Sequence, residues 1–443
     1  MSVKYTQAIR GRFFDITATV KQPEQLADYA RYVEDGLLLI DEGRIVSLQS
    51  WEQGHRLLSD PHQVIDYRNK LIVPGFVDSH IHYPQTEMIG AFGEQLLEWL
   101  QQYTFPVESQ YHCPQHAARM SAFFLHQLLS NGTTTALVFG TVHPQSVDAL
   151  FTAAEQLGMR LIAGKVMMDR NAPDYLIETA ADSYQQTRAL IERWHNRGRL
   201  SYALTPRFAP TSSPQLLANV RRLRQEFPDT WLHTHLSENP QEVAWVKALF
   251  PENSSYLDVY HQYQLTGRRS VFAHCLHLEE QEWDCLHQTE SSIAFCPTSN
   301  LFLGSGLFDL QKRWQKQVHC GIGTDVGAGT TFNLLQTLGE AYKVAQLQHY
   351  KLSACEAFYH ATLGGAQALD LDDKIGNFNA GKEADFVVLD PAVSALQQLR
   401  HGNSRDIWEQ LFVLMTLGDD RNIAATWVNG ACVWQRDSVE KAA

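Results

Sequence analysis

Residues 72–85 read IVPGFVDSHIHYPQ, an apolar run that ends in two histidines separated by one residue. In a β-strand, residues i and i+2 point to the same face, so His80 and His82 would lie side by side where this strand ends. Neutral imidazole is a favoured ligand of zinc and related metals. The chain contains 19 histidines, so a metal site is indicated only if other segments supply further ligands.

The composition is that of a globular protein and excludes several functions. The 443 residues are 44% hydrophobic and 19% charged, which suffices for a barrel of about 250 residues and a smaller domain. The net charge of −13 comes without a lysine and arginine cluster, so we expect no nucleic-acid partner. No apolar segment approaches the roughly 20 residues that span a membrane. Seven cysteines without a Cys-x-x-Cys pair, and no signal-peptide core, predict a cytoplasmic protein.

The middle of the chain, residues 71–375, alternates between strand-like and helical patterns. Strands are predicted at Leu71–Val77, Thr133–Phe139, Leu161–Val166, Leu200–Leu204, Trp231–His235, Val271–His274, Ile293–Cys296 and Val318–Gly323. Helices are predicted between them, for example at Ala117–Leu129, Ser146–Gln156, Thr179–Arg193 and Pro214–Glu226. Eight such units predict an α/β fold with a (β/α)8 TIM-like barrel. A doubly wound sheet is the competing architecture, but no Gly-x-Gly-x-x-Gly follows the first strand.

Both ends of the chain are rich in predicted strands and are too short to bury a core of their own. The strands are predicted at Ala8–Val20, Gly36–Ile40, Arg44–Leu48, Phe386–Leu389, Ala424–Val428 and Ala431–Trp434. Asn429-Gly430 is a strong hairpin signal between the last two. We therefore expect residues 1–70 and 376–443 to form one small β-sandwich domain beside a catalytic barrel domain of residues 71–375.

Metal-capable side chains stand at four of the eight predicted strand ends, where the functional residues of such barrels lie. They are His80 with His82, His235, His274 and Asp325. His233 shares a strand face with His235 but lies one layer deeper, so we expect a hydrogen-bonded core histidine there. Asp325 could instead cap a helix or turn before Gly327, a role that is compatible with metal binding.

Residues 74–82 (PGFVDSHIH), the later histidines, Thr324-Asp325 and residues 381–385 (GKEAD) resemble the metal-dependent amidohydrolase superfamily over nearly the whole chain. The resemblance implies one divalent metal, zinc in preference to iron, held by His80, His82, His235 and Asp325. Members with two metals carry a bridging, carbamylated lysine after strand 4, where this chain has Arg207. Lys165 on strand 3 is more simply a structural or second-layer cation.

Further motifs resemble the superfamily members that deaminate guanine: Tyr83-Pro84-Gln85, residues 96–100 with 103–108, and Thr205-Pro206-Arg207-Phe208. The resemblance implies hydrolysis of guanine to xanthine and ammonia by water that the metal activates. It implies that Glu238 is the general acid and base, assisted by Asp325 and His274. The implied substrate contacts are Gln85, Arg207, Phe208, His235, Glu238, His274 and Asp325.

Structural explanations for several of these residues stay open. Arg207 could pair with an acid, Phe208 could fill the barrel mouth, and Glu238 could be a first-turn carboxylate favoured by a helix dipole. The insertion of residues 83–108, with a helix predicted at Glu94–Gln102, could close over the site or simply pack against it. Three other histidines fit no ligand spacing and are expected to have surface or packing roles: His112, His116 and His143.

Other functions also stay open. The same ligands suit a deaminase or chlorohydrolase that acts on another aminated or halogenated heterocycle. A non-catalytic barrel should have lost ligands that this chain retains. The chain lacks the His-x-Glu…Pro-Cys-x-x-Cys signature of cytidine deaminases. The resemblance further suggests a homodimer.

Overall fold

Sixteen strands form two separate sheets in the computed structural model, which describes residues 4–58, 63–93 and 95–436. In chain order they are β1 (Gln7–Ile16), β2 (Ala30–Asp41), β3 (Arg44–Ser50), β4 (Val64–Pro74), β5 (Phe76–His82), β6 (Thr133–Phe139), β7 (Arg160–Gly164), β8 (Val166–Met167), β9 (Leu200–Pro206), β10 (Trp231–Leu236), β11 (Ser270–His274), β12 (Ser292–Phe295), β13 (His319–Ile322), β14 (Phe386–Leu389), β15 (Ile423–Val428) and β16 (Ala431–Gln435). Strands β5–β13 belong to one sheet, and the strands from both chain ends belong to the other.

The first sheet is a parallel barrel. Its strands follow one another in the order β5-β6-β7-β9-β10-β11-β12-β13, and the short β8 pairs with β9. The end of β13 returns to β5, where the backbone N–H of Asp325 donates to His80 O at 2.9 Å and that of His82 donates to Val326 O at 3.0 Å. The predicted (β/α)8 barrel is therefore confirmed.

Helices surround the barrel between its strands. The longer ones are Pro114–Ser130, Pro144–Gln156, Ala180–Trp194, Pro214–Glu226, Pro240–Leu249, Tyr256–Gln262, Glu280–Gln288, Leu334–Leu347 and Ala354–Ala361. The sequence supplies their caps: the Thr179 side chain accepts from Asp182 N, and the Ser213 side chain accepts from Leu216 N. Shorter helices are Leu26–Tyr29, Trp51–Gly54, Leu96–Trp99, Phe105–Ser109, Pro297–Phe302, Leu310–Gln315 and Leu363–Ala368.

The second sheet joins the two ends of the chain, as the sequence predicts. Its strand order is β16-β15-β14-β4-β1-β2-β3, and all neighbours are antiparallel except the parallel pair β1 and β4. Phe386 and Trp427 stack in its core at 5.2 Å. Two helices, Ala395–Gly402 and Ile407–Leu417, connect β14 to β15 in chain order. The domain boundaries between residues 70 and 71 and between residues 375 and 376 stay a prediction.

The strand predicted over Leu71–Val77 is wrong in its placement, because two strands share this apolar run. Leu71–Pro74 completes β4 and pairs with β14, whereas the barrel strand begins at Phe76. The chain passes between the two sheets at Gly75, whose N–H donates to Asp385 O at 3.0 Å. A Cβ atom at Gly75 would lie 2.1 Å from Thr134 Oγ1, so only glycine fits this crossing.

Residues 381–385, the late GKEAD motif, attach the terminal sheet to the barrel. The Glu383 carboxylate accepts hydrogen bonds from Arg160 at 2.5 and 2.9 Å and from Arg199 at 2.6 and 3.0 Å. Both arginines lie at the starts of barrel strands, at the end opposite to the histidines. The motif therefore has a structural role, distant from the predicted site. In the part of the chain that the structure describes, no helix has the length and apolar character to cross a membrane.

A close approach between β13 and β5 generates a stability prediction. A Cβ atom at Gly321 would lie 2.0 Å from Ser79 Oγ and 2.9 Å from Ser79 Cβ. Gly321→Ala should therefore push these strands apart and lower the free energy of unfolding by about 1–3 kcal/mol, measured as a lower midpoint of thermal unfolding. Gly402→Ala is the control, because an added Cβ there meets nothing within 4 Å. Equal midpoints for the two variants would contradict the packing argument.

Candidate active site

A small cavity lies at the carboxyl ends of the barrel strands. It brings together eight of the residues that the sequence singles out: His82, Gln85, Arg207, Phe208, His235, Glu238, His274 and Asp325. His80 lies fully buried beside His82 and Asp325. The other lining residues are apolar. Leu96, Trp99 and Leu100 belong to the predicted motif at residues 96–100, whereas the sequence predicts no role for Leu303 and Ala328.

The ligand atoms of three histidines and one aspartate lie close together. Asp325 Oδ1 is 3.1 Å from His80 Nε2 and 3.5 Å from His82 Nε2, and the Nε2 atoms of His82 and His235 are 3.2 Å apart. Tetrahedral zinc with bonds of roughly 2.1 Å separates its ligand atoms by about 3.4 Å. The buried Nε2 of His80 makes no hydrogen bond. This arrangement fits a metal ion.

Burial keeps the three imidazoles in the neutral form that binds metals. Burial and the positive charge of Arg207 lower the pKa of His80 to about 3, and burial lowers the pKa values of His82 and His235 well below the usual range. His235 Nδ1 donates to Arg207 O at 2.7 Å, which leaves the Nε2 lone pair free for a metal.

His233 lies one layer deeper than His235 and is a hydrogen-bonded core histidine, the role expected from the sequence. Its Nε2 is 2.6 Å from His80 Nδ1, and its side chain is fully buried. With Nδ1 engaged in this contact, His80 directs Nε2 at Asp325 and the candidate metal position. His233 therefore orients the ring of His80.

Asp78 connects the first and last barrel strands directly below the site. Its carboxylate accepts from Thr324 N at 3.1 Å, from Thr324 Oγ1 at 2.5 Å and from His80 N at 3.2 Å. Burial raises the pKa of Asp78 to about 7. Asp78 belongs to the histidine motif, but the sequence predicts no role for it, because its partner Thr324 is 246 positions away.

Left-handed backbone conformations aim the side chains at three strand ends. The φ angles are 50° at Ser237, 71° at His274 and 52° at Asp325. Residues other than glycine adopt this region at a cost of about 1–3 kcal/mol, and such residues cluster at functional sites. No sequence pattern indicates these conformations.

Glu238 and His274 lie side by side in the cavity. Glu238 Oε2 lies 3.4 Å from His274 Nε2, which is also 3.8 Å from Asp325 Oδ2. Burial, with the charges of Asp325 and Glu242, raises the pKa of Glu238 well above its usual range. Asn300 Nδ2 contacts His274 Nδ1 at 2.8 Å and so fixes the ring, a contact that the sequence did not predict. His274 also lies close enough to His80 and His235 to share a metal with them.

The opposite wall of the cavity carries Arg207 and Gln85, and both contact one buried acid. Arg207 Nη1 donates to the two carboxylate oxygens of Glu108 at 3.0 and 2.7 Å, and Gln85 Nε2 donates to Glu108 Oε1 at 3.1 Å. Gln85 Oε1 accepts from Gly327 N at 3.2 Å. The alternative that Arg207 pairs with an acid is therefore realised, while its side chain still lines the cavity.

The insertion of residues 83–108 covers the site. Its helical part begins at Leu96 and continues through a wider π-turn at Leu100–Thr104 into Phe105–Ser109. Glu94, where the sequence-predicted helix begins, lies outside the described residues. Because Leu96, Trp99 and Leu100 line the cavity, this segment separates the metal-capable cluster from solvent.

The other lysine and histidines considered in the sequence analysis lie away from the cavity. Lys165 is fully buried and pairs with Glu178 at 2.5 Å, a structural contact as expected. His116 pairs with Glu87 at 2.8 Å. The two other histidines for which surface or packing roles are expected are also absent from the cavity lining: His112 and His143.

The sequence pattern of the Amidohydrolase family matches residues 71–433, and the chain belongs to this family. Guanine deaminase of Escherichia coli (strain K12) is 65% identical over 438 residues, which are 99% of this chain and 100% of that protein. A solved structure of E. coli guanine deaminase superposes with a TM-score of 0.96 over 97% of this chain and 100% of that one, at 65% identity. Guanine deaminase from C. acetobutylicum, crystallised with guanine bound in the active site, is 30% identical with a TM-score of 0.88 over 97% of this chain and 100% of that one.

The cluster geometry predicts how metal content depends on single histidines. His235→Ala should remove a ligand and weaken metal binding by at least about tenfold, measured by elemental analysis after dialysis against a weak chelator. His116→Ala is the matched control, because His116 pairs with Glu87 outside the cavity. Equal metal contents in the two variants would rule out His235 as a ligand.

Proposed function

We propose that the protein hydrolyses guanine to xanthine and ammonia. The observation that carries the proposal is a single cavity lined by a metal-capable cluster together with an arginine and an amide. The family membership and the 65% identity to a guanine deaminase over the full length support it.

The metal would be held by the Nε2 atoms of three histidines and by one carboxylate: His80, His82, His235 and Asp325. We propose a single divalent ion, because Arg207 follows β9 at the position where two-metal relatives carry a lysine. We propose zinc in preference to iron. A cation bound there would lower the pKa of a water molecule toward about 7 and supply a nucleophile at neutral pH.

Glu238 moves the protons in this proposal. It takes one proton from the attacking water and delivers it to the ring nitrogen beside C2. It then takes the second proton from the hydroxyl group now bound to C2 and delivers it to the amino group, which leaves as ammonia. The bond from C2 to that amino group breaks, and a carbonyl remains on the ring. His274 Nε2 lies 3.4 Å from Glu238 Oε2 and 3.8 Å from Asp325 Oδ2. His274 and Asp325 would orient the water for attack.

Arg207, Gln85 and Phe208 provide the recognition of the ring. A guanidinium group donates hydrogen bonds in a planar fork that suits the carbonyl edge of a purine. The ring of Phe208 offers an apolar face to a flat substrate. Leu96, Trp99 and Leu100 close the cavity and exclude bulk water, which strengthens the polar contacts inside it.

We also propose a cytoplasmic, homodimeric protein. All seven cysteines are free thiols, which suits a reducing compartment. On the helix Ala395–Gly402, Leu396 and Leu399 are 61% and 66% exposed and could be covered by a second subunit. Light scattering on the purified protein would test the dimer, and a monomer mass would refute it.

Substrate choice is the direct test of the proposed reaction. The metal-loaded protein should release ammonia from guanine, with kcat/KM at least about 100-fold lower for adenine and aminotriazines, because those rings lack the carbonyl edge that Arg207 would bind. Failure to release ammonia from guanine would refute the proposal. Higher activity on a chlorinated or aminated triazine would favour the alternative, a hydrolase for another heterocycle.

The role of Glu238 predicts a variant with intact metal and little activity. Glu238→Gln keeps the size of the side chain but cannot transfer the proton, so kcat should fall by about 10²–10⁴-fold while metal content stays unchanged. Glu98→Gln is the control, because Glu98 is an exposed acid on the outer face of the covering helix. Near-normal kcat in Glu238→Gln would exclude Glu238 as the general acid and base.

A further inference from the structure

Glu108 is a buried acid that touches both recognition residues but does not line the cavity. Its side chain is 1% exposed, and Arg207 is 3% exposed. Both carboxylate oxygens accept from Arg207, and Oε1 also accepts from Gln85. The guanidinium carbon of Arg207 lies 5.4 Å from the centre of the Phe105 ring, so an aromatic face from the same segment packs near the pair. One short segment, residues 105–108, therefore fixes the position of Arg207.

The ion pair of Glu108 and Arg207 also determines the charge that a bound ring would meet beside Arg207. In the described part of the chain, the one ion pair that Arg207 makes is with Glu108. Because both groups are buried, solvent screens neither of them, and the guanidinium charge is balanced locally by the carboxylate. The other charged or titratable groups that line the cavity belong to the metal-capable cluster and its neighbours: His82, His235, Glu238, His274 and Asp325.

This balance matters because substrate and product differ in acidity. Guanine is neutral near pH 7, whereas an oxidised purine such as xanthine carries an N–H between two carbonyl groups and is partly anionic there. A guanidinium group without a counter-ion would attract the anionic purine. A guanidinium group that is already paired with a carboxylate still donates hydrogen bonds, but the pair as a whole has no net charge.

We propose that Glu108 is a specificity-determining residue that makes the recognition wall electrically neutral and thereby weakens the binding of anionic purines, the product xanthine included. This inference rests on the proposed function, because it takes guanine as substrate and xanthine as product. Glu108 acts through Arg207 and Gln85, so it positions these groups and does not itself touch the ring. The consequence for turnover is easier release of the product.

The test compares an anionic and a neutral competitor. The inhibition constants of xanthine and hypoxanthine are measured near neutral pH against guanine turnover by the metal-loaded full chain. In Glu108→Gln, whose amide keeps the shape but loses the charge, xanthine should bind at least about tenfold more tightly relative to hypoxanthine than in the wild-type protein. Glu108→Asp is the matched control, since it shifts the carboxylate but keeps the charge, and the xanthine-to-hypoxanthine ratio should stay near the wild-type value while KM for guanine rises.

The outcomes separate this inference from the proposed reaction. An unchanged ratio in a folded Glu108→Gln protein would overturn the specificity role, even if guanine turnover is normal. Absence of guanine turnover in the wild-type protein would instead refute the proposed function. If Glu108→Gln does not fold, the wild-type protein carries the test through the pH dependence of inhibition. Xanthine should inhibit more weakly relative to hypoxanthine as the pH rises through the range in which xanthine ionises, and unchanged or stronger relative inhibition would overturn the proposal.

Discussion

The carboxylate of Asp78 is the contact on which the candidate site depends, because it joins the first and last strands of the barrel. It accepts from the backbone and hydroxyl of Thr324 and from the backbone of His80. These bonds place His80 next to Asp325, although the two residues come from opposite ends of the barrel sequence. Without this closure, the histidines of β5 and the aspartate after β13 would not share one point. The absence of a side chain at Gly321 lets the same strands approach.

The two walls of the cavity are built by different physical means. On the metal-capable wall, burial keeps the imidazoles neutral and brings the ligand atoms within 3.1–3.5 Å. On the recognition wall, a buried ion pair and an amide are held by the inserted segment. Because that segment also covers the cavity, the exclusion of water and the placement of Arg207 depend on the same residues. Substrate choice and protection of the reacting groups are thus physically linked.

The sequence predicted the barrel, the terminal sheet and the residues at the strand ends, because strand periodicity and strand order determine where such residues meet. It misplaced the first barrel strand, since the apolar run Leu71–Val77 contains the crossing between two sheets at Gly75. Glu108 and Asn300 received no role, because each acts through a contact with a residue distant in sequence. The left-handed conformations of His274 and Asp325 likewise follow from tertiary packing. Local patterns carry no information of this kind.

The central claim is that one metal ion binds where the ends of β5, β10 and β13 meet. Anomalous scattering from crystals of the metal-loaded protein tests it most directly. The account predicts one peak per chain, at about 2.0–2.2 Å from Nε2 of His80, His82 and His235 and from Asp325 Oδ1. A second peak of equal strength near Arg207, or a peak that these four residues do not contact, would contradict it.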